Sequence, residues 1–155
     1  MAGQTIIKRD QLPDDFQTLK FVVNVNQATG TKEALCVFDK RTIIDAIDVV
    51  GLKVGAAKTV QLYAVPVGQD IQGTPGAAAT PYLHATSVDL NASTWTNAEG
   101  TASTATTTAT GWASPTIDTT TNVLEAGTIL AVVQTGSAAS GKNPVVSIRF
   151  RTRYL

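Results

Sequence analysis

The most constraining feature of this sequence is the strict alternation along its C-terminal stretch. From Val146 onward, apolar residues take every second position to Phe150 and again at Tyr154. The positions between them hold Ser147 and three arginines: Arg149, Arg151 and Arg153. Because successive strand side chains point to opposite faces, this pattern predicts a β-strand with one apolar and one cationic face. Chain ends fray unless something ties them down, so we expect this strand inside a sheet, in a central position.

Length and composition indicate one domain whose surface carries few charges. With 155 residues the chain is long enough to bury about two thirds of its unfolded surface. Charged residues make up 15% of the sequence, against roughly 25% in ordinary soluble domains. Such a surface is typical of a protein packed against a partner, or of a rigid β protein. The net charge of zero gives no electrostatic reason to expect binding to nucleic acid or to a membrane.

The few charges are distributed unevenly along the chain. No lysine or arginine occurs between Lys58 and Lys142, and that interval holds five acidic residues: Asp70, Asp89, Glu99, Asp118 and Glu125. The middle of the chain is therefore acidic and the two ends together are basic. Opposed charge regions can hold neighbouring subunits in register. The alternative is that the sequence of a Thr/Ala-rich insert has drifted to this pattern without a role for its charges.

The single cysteine, Cys36, can form neither an internal disulfide nor a cysteine-based metal cluster. It lies in an apolar run and is expected to be a small buried hydrophobe. The first residues are polar and lack the apolar core of a signal peptide, and no apolar run approaches the roughly 18 residues of a membrane span. We therefore expect a soluble protein, made in a cytoplasm, with no cofactor and no metal.

The N-terminal residues 1–15 are expected to form an extended arm ahead of a single β-sandwich domain, residues 16–155. A short strand-like run is followed by Pro13 and an acidic pair, which break regular structure. Such an arm can lie on another protein surface; the alternative is a disordered leader. The candidate contact residues of the arm are Ile6, Ile7, Lys8 and Arg9.

Alternating apolar runs separated by turn signals predict a series of short strands. Two hairpins are predicted, residues 16–25 with 33–38 and residues 128–134 with the closing strand. Further strands are predicted at residues 41–52, where helical spacing also fits but β-branched residues favour a strand, and at residues 58–66 and 82–90. In the Thr/Ala-rich insert or long loop, residues 91–122, one or two short strands pinned by tryptophans are expected. Together these elements indicate an all-β antiparallel β-sandwich or jelly roll.

No catalytic site emerges from the sequence. The single histidine, His84, lies on a predicted strand without carboxylates arranged around it, and such a residue is usually structural. Asp45 and Asp48 would share a face only on a helix. The serines are not set in a nucleophile elbow, and the glycines near Lys53 do not form a phosphate loop. We therefore do not expect an enzyme.

Two sets of residues could bind a partner. The row Arg149, Arg151 and Arg153 could grip carboxylates of an acidic protein neighbour, or phosphates, because each guanidinium presents a fork of donors. A solvated face that protects a strand from wrong pairing is the alternative. Tyr82, Trp95 and Trp112 could stack on sugar rings, but tryptophans among small residues are more often anchors that hold a loop down.

The run from Val123 to Leu130, followed by the closing stretch from Val145 to Leu155, resembles the final strands of the decoration, or cement, proteins of tailed bacteriophage capsids. The resemblance covers roughly the last third of the chain and carries no binding residue with it. It implies a jelly-roll-like fold, often a homotrimer, that sits on the capsid surface of the virion and reinforces contacts between copies of the major capsid protein. It implies no catalytic role. The competing prediction is a glycan-binding β-sandwich module on a phage fibre or adhesin.

Overall fold

A computed structural model of the chain describes residues 16–96, 102–106, 110–138 and 143–152. Every regular element within these ranges is a β-strand, which confirms the predicted all-β fold. The predicted arm, residues 1–15, lies outside the described residues. In chain order the strands are β1 (Phe16–Val22), β2 (Lys32–Val37), β3 (Thr42–Leu52), β4 (Lys58–Val65), β5 (Val88–Asp89), β6 (Thr94–Thr96), β7 (Ala102–Thr104), β8 (Thr110–Ala113), β9 (Val123–Leu124), β10 (Ile129–Gly136) and β11 (Val145–Thr152).

The strands form two antiparallel sheets with the strand order of a jelly roll. Sheet A has the order β1-β11-β3-β8, with β9 also paired to β3, and sheet B has the order β2-β10-β4-β5. The first strand therefore pairs with the last, β2 with β10, β3 with β8 and β4 with β5, like a long hairpin that has been rolled up. Strands β6 and β7 form a separate ribbon. The predicted antiparallel jelly-roll sandwich is confirmed.

The core lies between the two sheets and is filled by the inward-facing residues of each strand. The closing strand contributes Val146, Ile148 and Phe150, and Leu62 and Leu130 of sheet B are fully buried in the same cluster. Burial of one such side chain stabilises the fold by about 1.5–3 kcal/mol. Alternation along each strand therefore decides which of its faces turns inward.

The closing strand β11 occupies the predicted central position in sheet A, between β1 and β3. Its Ile148 lies opposite Leu19 of β1 and Ile47 of β3. Strand β3 is continuous, as its β-branched composition predicts. Its register with β11 shifts by one residue, and Asp45 is the extra residue of this β-bulge.

Both predicted hairpins are wrong. Strands β1 and β2 lie in different sheets, and so do β10 and β11. The connection at residues 23–31 crosses from sheet A to sheet B instead of turning back beside β1. Backbone hydrogen bonds fix the crossing at both ends, from Val23 N to Pro144 O (3.0 Å) and from Gly30 N to Gln134 O (2.7 Å). Neighbouring alternating runs therefore identify strands without identifying their partners.

Two buried polar side chains hold this crossing from inside the sandwich. Lys58, 1% exposed, donates from Nζ to Gln27 O (2.6 Å), and the fully buried Gln134 donates from Nε2 to Asn24 O (2.8 Å). Burial lowers the pKa of Lys58. A buried carbonyl without a partner is costly, so these two side chains replace ladder hydrogen bonds that the crossing segment gives up.

The middle of the chain differs in part from its prediction. The strand predicted at residues 82–90 is reduced to β5, with isolated bridges from Tyr82 to Tyr63 and from His84 to Ile117. The Thr/Ala-rich tract contains the short strands β6, β7 and β8, which confirms that it forms strands around its tryptophans. Strand β8 is the edge strand of sheet A. Part of the tract therefore belongs to the jelly roll itself.

Candidate functional site

The outward surface of sheet A is the first candidate site, and we call it the open face. Antiparallel register aligns Val22, Val145, Val50 and Trp112 in one row across β1, β11, β3 and β8. The two ends of the row are exposed, Val22 by 63% and Trp112 by 43%. Directly paired residues lie on the same side of a sheet, so these four side chains form an apolar stripe that crosses the whole sheet.

Basic and aromatic side chains lie on the same face, in the rows that follow this stripe along the strands. Lys20 and Arg149 are exposed, and Arg151 is half-buried. The Nε atom of Arg151 lies 3.3 Å from Asp45 Oδ1, the bulge residue, in an ion pair. Its guanidinium carbon lies 5.8 Å from the ring centroid of Phe16, within the range of a cation–π interaction. Arg149 and Arg151, two of the three arginines predicted to share a cationic face, therefore do so, and Arg151 is oriented by its neighbours.

Trp112 is exposed but held in place by polar contacts. Its Nε1 donates to Asp48 Oδ1 (3.1 Å), which also accepts a hydrogen bond from Ser114 Oγ. The backbone N of Trp112 donates to Ser103 Oγ (2.8 Å). An aromatic side chain that is fixed before binding loses little conformational entropy on contact with a partner. Trp112 thus has the character of a docking residue.

The outward surface of strands β4 and β10 in sheet B is covered by the protein's own loop, residues 66–81; we call it the covered face. Tyr63, Val65, Ala131 and Val133 form a second buried cluster there. Tyr63 is fully buried, and its hydroxyl donates to Ile71 O (2.9 Å) in the loop. Burial, followed by the charges of Tyr82 and Asp70, raises the pKa of Tyr63 to about 12.

The three aromatic residues predicted as a sugar-stacking platform lie in three different places. Tyr82 packs against the cluster of the covered face, and Trp112 lies on the open face. Trp95 belongs to the main core, 2% exposed, and its Nε1 donates to Ala92 O (3.0 Å). The structure does not bring these rings together. The loop-anchor interpretation describes Trp95, whose ring lies against Gly111 and Ala92.

A groove of about 200 Å³ lies at one side of the sandwich, where β5 and β8 approach each other with β6 between them. Val88, Trp95, Ala113 and Pro115 supply apolar parts of its lining. Sequence reasoning missed this groove, because its walls come from segments that only the jelly-roll topology brings together. The single available signal was Trp95 among small polar residues.

His84 is a structural residue. It is fully buried; its Nε2 accepts a hydrogen bond from Leu62 N (3.0 Å), and its Nδ1 donates to Thr86 O (2.8 Å) in the tautomer that this pairing requires. Burial lowers the pKa of His84, and the bond to Thr86 opposes that shift. Both ring nitrogens are used inside the fold, so the ring has no nitrogen left for a substrate.

The described ranges were searched for groups of metal-ligating side chains and for a reactive thiol. No group of three or more His, Cys, Asp or Glu side chains that could hold a metal ion occurs among those residues. Cys36 is half-buried rather than fully buried, and burial raises the pKa of its thiol. A raised pKa keeps the sulfur in its less reactive protonated form. The remaining predicted contact residues, Ile6, Ile7, Lys8, Arg9 and Arg153, lie outside the described residues.

The fold and these surfaces define a class of protein, a jelly-roll β-sandwich with one outer face open and the other covered by its own loop. No family model matches the sequence, and a search of curated proteins finds no match. Among solved structures, the chain is similar to a chain in the structure of infectious bursal disease virus Gx strain, with a TM-score of 0.43 and 10% sequence identity. That match covers 90% of this chain and 33% of the viral chain, so the protein spans about a third of its length. A likeness this slight carries no argument about function.

The described residues contain no helix long and apolar enough to cross a membrane.

Proposed function

We propose that this chain is a structural protein of a virus particle, a decoration protein that attaches to the outer surface of a tailed-phage capsid and reinforces contacts between capsid subunits. The observation that carries the proposal is the open face, where an apolar stripe ends in a fixed, exposed Trp112, and Lys20, Arg149 and Arg151 follow along the same face. Protein interfaces concentrate their binding energy in aromatic and arginine side chains at a desolvated centre. The open face has this composition.

The partner that suits this surface is a protein lattice with acidic groups opposite Lys20 and Arg149. The proposal includes no nucleic acid partner, because the described part of the open face holds two exposed cations, Lys20 and Arg149, far fewer than a phosphate backbone requires. It includes no enzymatic activity, since His84 is fully used inside the fold. A homotrimer attached through three open faces would bind much more tightly than one copy. The arm, with Ile6 to Arg9, would add a second contact.

A matched pair of variants tests the open face directly. Val22 on the open face and Val37 on β2 of sheet B are equally exposed, 63% and 62%. Capsids from the virus that encodes the chain, assembled without it, would be mixed with each variant and sedimented. Val22→Asp should weaken binding by about tenfold or more, since it places a charge in a desolvated stripe, whereas Val37→Asp should stay within about twofold of wild type. Equal behaviour of the two variants would overturn the proposed docking face.

The solution mass and an arm deletion test the rest of the proposal. Light scattering after size exclusion is expected to give the mass of a trimer, and a clean monomer would count against the symmetric attachment. Removal of residues 1–15 should lower the occupancy of the particles. Unchanged occupancy would restrict the contact to the sandwich.

A further inference from the structure

The groove between β5 and β8 has a composition unlike that of either outer face. Its described lining includes four residues with hydroxyl side chains, Thr86, Ser87, Thr94 and Thr96, and one with a carboxylate, Asp89. The other described lining residues are apolar or aromatic. None of the described lysines and arginines lines the groove; the nearby Lys53 donates its amine to Ser93 Oγ (3.0 Å), between the lining residues Ala92 and Thr94. A ligand for this groove needs hydroxyl groups and an apolar surface, but no negative charge.

The size of the groove limits the ligand to one ring. Its volume, about 200 Å³, lies below the roughly 300–1,000 Å³ of sites that hold drug-sized molecules. A single pyranose ring presents C–H groups on its faces and hydroxyls around its edge. Apolar groups such as Val88 and Pro115 would meet the C–H face, and the hydroxyl side chains and Asp89 would meet the edge. A carboxylate is a strong acceptor for sugar hydroxyls, because charge-assisted hydrogen bonds are about twice as strong as neutral ones.

Hydrogen bonds hold both walls of the groove before any ligand enters. On the β5 side, Thr86 O accepts from His84 Nδ1 (2.8 Å), and Asp89 Oδ1 accepts from Asn91 N (2.8 Å). On the β6 side, Thr96 O accepts from Ser114 N (3.1 Å), which ties β6 to the end of β8. A site whose walls are fixed loses less conformational entropy on binding, which matters most for a small ligand.

From these observations we propose that the groove is a binding site for one neutral sugar ring, such as the terminal residue of a cell-surface glycan. Asp89 and the threonine hydroxyls would bind the ring hydroxyls, and the apolar lining would bind its C–H face. The site is distinct from the aromatic platform that the sequence suggested, because Tyr82 and Trp112 take no part in it. It also goes beyond attachment to a capsid, since none of the exposed open-face residues lines it.

The test uses amide chemical shifts of the ¹⁵N-labelled full chain during titration with single sugars. Methyl glucoside, methyl galactoside, methyl mannoside and N-acetylglucosamine are the neutral probes; glucuronate and glucosamine are the charged controls. A neutral sugar is expected to give saturable shifts at the groove residues by about 50 mM, as a site of millimolar affinity requires. Glucuronate should give none. If no neutral sugar saturates the groove, or if only the cationic glucosamine does, the sugar site is rejected.

Matched variants connect the shifts to the proposed chemistry. Asp89→Asn keeps an acceptor for Asn91 N but removes the charge, and it should weaken binding by about tenfold. Asp118 does not line the groove; it is half-buried and has the same local bond, from Thr120 N to Oδ1 (2.9 Å), with a second from Thr120 Oγ1 (2.6 Å). Asp118→Asn should leave binding unchanged. Thr94→Val, which removes a lining hydroxyl at constant shape, should also weaken binding. Equal binding by all variants overturns the proposal and leaves capsid attachment untouched, because the Val22 and Val37 pair tests that separately.

Discussion

The outer faces of the two sheets of this jelly roll differ, because the chain covers strands β4 and β10 of sheet B with its own loop and leaves the outer face of sheet A open. On the covered face, Tyr63 and its neighbours are fully buried beneath the 66–81 loop. On the open face, Val22 and Trp112 remain exposed. The inner faces of both sheets contribute to the common core. The difference therefore lies in what the chain does with its outward residues, and not in the fold.

The chemistry of the two faces accounts for this difference. Five of the outward positions of β4 and β10 are apolar and adjacent in the sheet, and an uncovered apolar patch of that kind is a liability for aggregation. They are Tyr63, Val65, Ile129, Ala131 and Val133. The chain covers this patch with a loop that makes many of its own hydrogen bonds, such as Gly76 N to Thr80 O (2.8 Å). The open face mixes apolar with charged side chains, so it is compatible with water and still offers an apolar stripe. A face of this kind is suited to binding a partner.

The largest expected effect is the difference in stability loss when one aromatic side chain on each face is replaced by alanine. Tyr63→Ala should lower the free energy of unfolding by about 3–5 kcal/mol, because it empties a fully buried site. Trp112→Ala removes a larger ring, but from a half-exposed position, and should cost less than about 1 kcal/mol. Urea denaturation of both variants measures the contrast. If Trp112→Ala proved as costly as Tyr63→Ala, the open face would be part of the packing and not a docking surface.

A second contrast tests how tightly the loop fits the covered face. Gly76 and Gly68 both have positive φ, +83° and +84°. A Cβ at Gly68 would have nothing within 4 Å, whereas a Cβ at Gly76 would overlap the Tyr82 ring. Gly68→Ala should cost about 1 kcal/mol for backbone strain alone, and Gly76→Ala about 2–3 kcal/mol, since the ring must also move. Equal losses in thermal or urea unfolding would mean that the loop yields easily.

Alkaline pH should open the covered face through Tyr63. Its pKa is raised to about 12, so the folded state favours the neutral phenol. The stability that this provides is present below pH 10 and is lost as pH rises from about 10 to about 12, on the order of 2 kcal/mol. The measurement is the urea midpoint of wild type and Tyr63→Phe at pH 9 and pH 12. The wild type should lose more stability than the variant over this interval; parallel curves would contradict the burial of the phenol.

The sequence was sufficient to predict where strands form and which of their faces is buried, but not which strands pair. Alternation alone identified β11, its buried Ile148 and its exposed Arg149, because period-two patterning reports one strand's own two faces. It could not tell that β1 pairs with β11 and β2 with β10. That choice depends on crossings such as residues 23–31, which are held by Lys58 and Gln134 from distant strands. Local patterns contain no information about such contacts.

The candidate sites were predictable to a smaller extent. Arg149 and Arg151 of the cationic row could be predicted to share a face because they lie on one strand. The apolar stripe from Val22 to Trp112 was not, since it requires the register of four strands. Aromatic composition suggested a sugar platform, but composition cannot say that Tyr82 and Trp95 serve two different buried clusters. The groove beside Asp89 depends entirely on the edge strands that the topology places together.

The smallest expected effect is the coupling free energy between two neighbouring side chains of the open face, Arg151 and Phe16. The Arg151 guanidinium lies over the Phe16 ring and beside Asp45. A double-mutant cycle with Phe16→Leu and Arg151→Gln isolates the cation–π contact, because the Asp45 contribution is the same with either residue at position 16. We expect a coupling free energy of about 0.5 kcal/mol from urea denaturation of the four proteins. A coupling of zero would mean that Phe16 does not help to orient Arg151 and that its exposed ring gains no anchor from the guanidinium. The Phe16 side chain would then lose conformational entropy when it docks on a partner. The apolar stripe from Val22 to Trp112 would have to supply most of the binding energy.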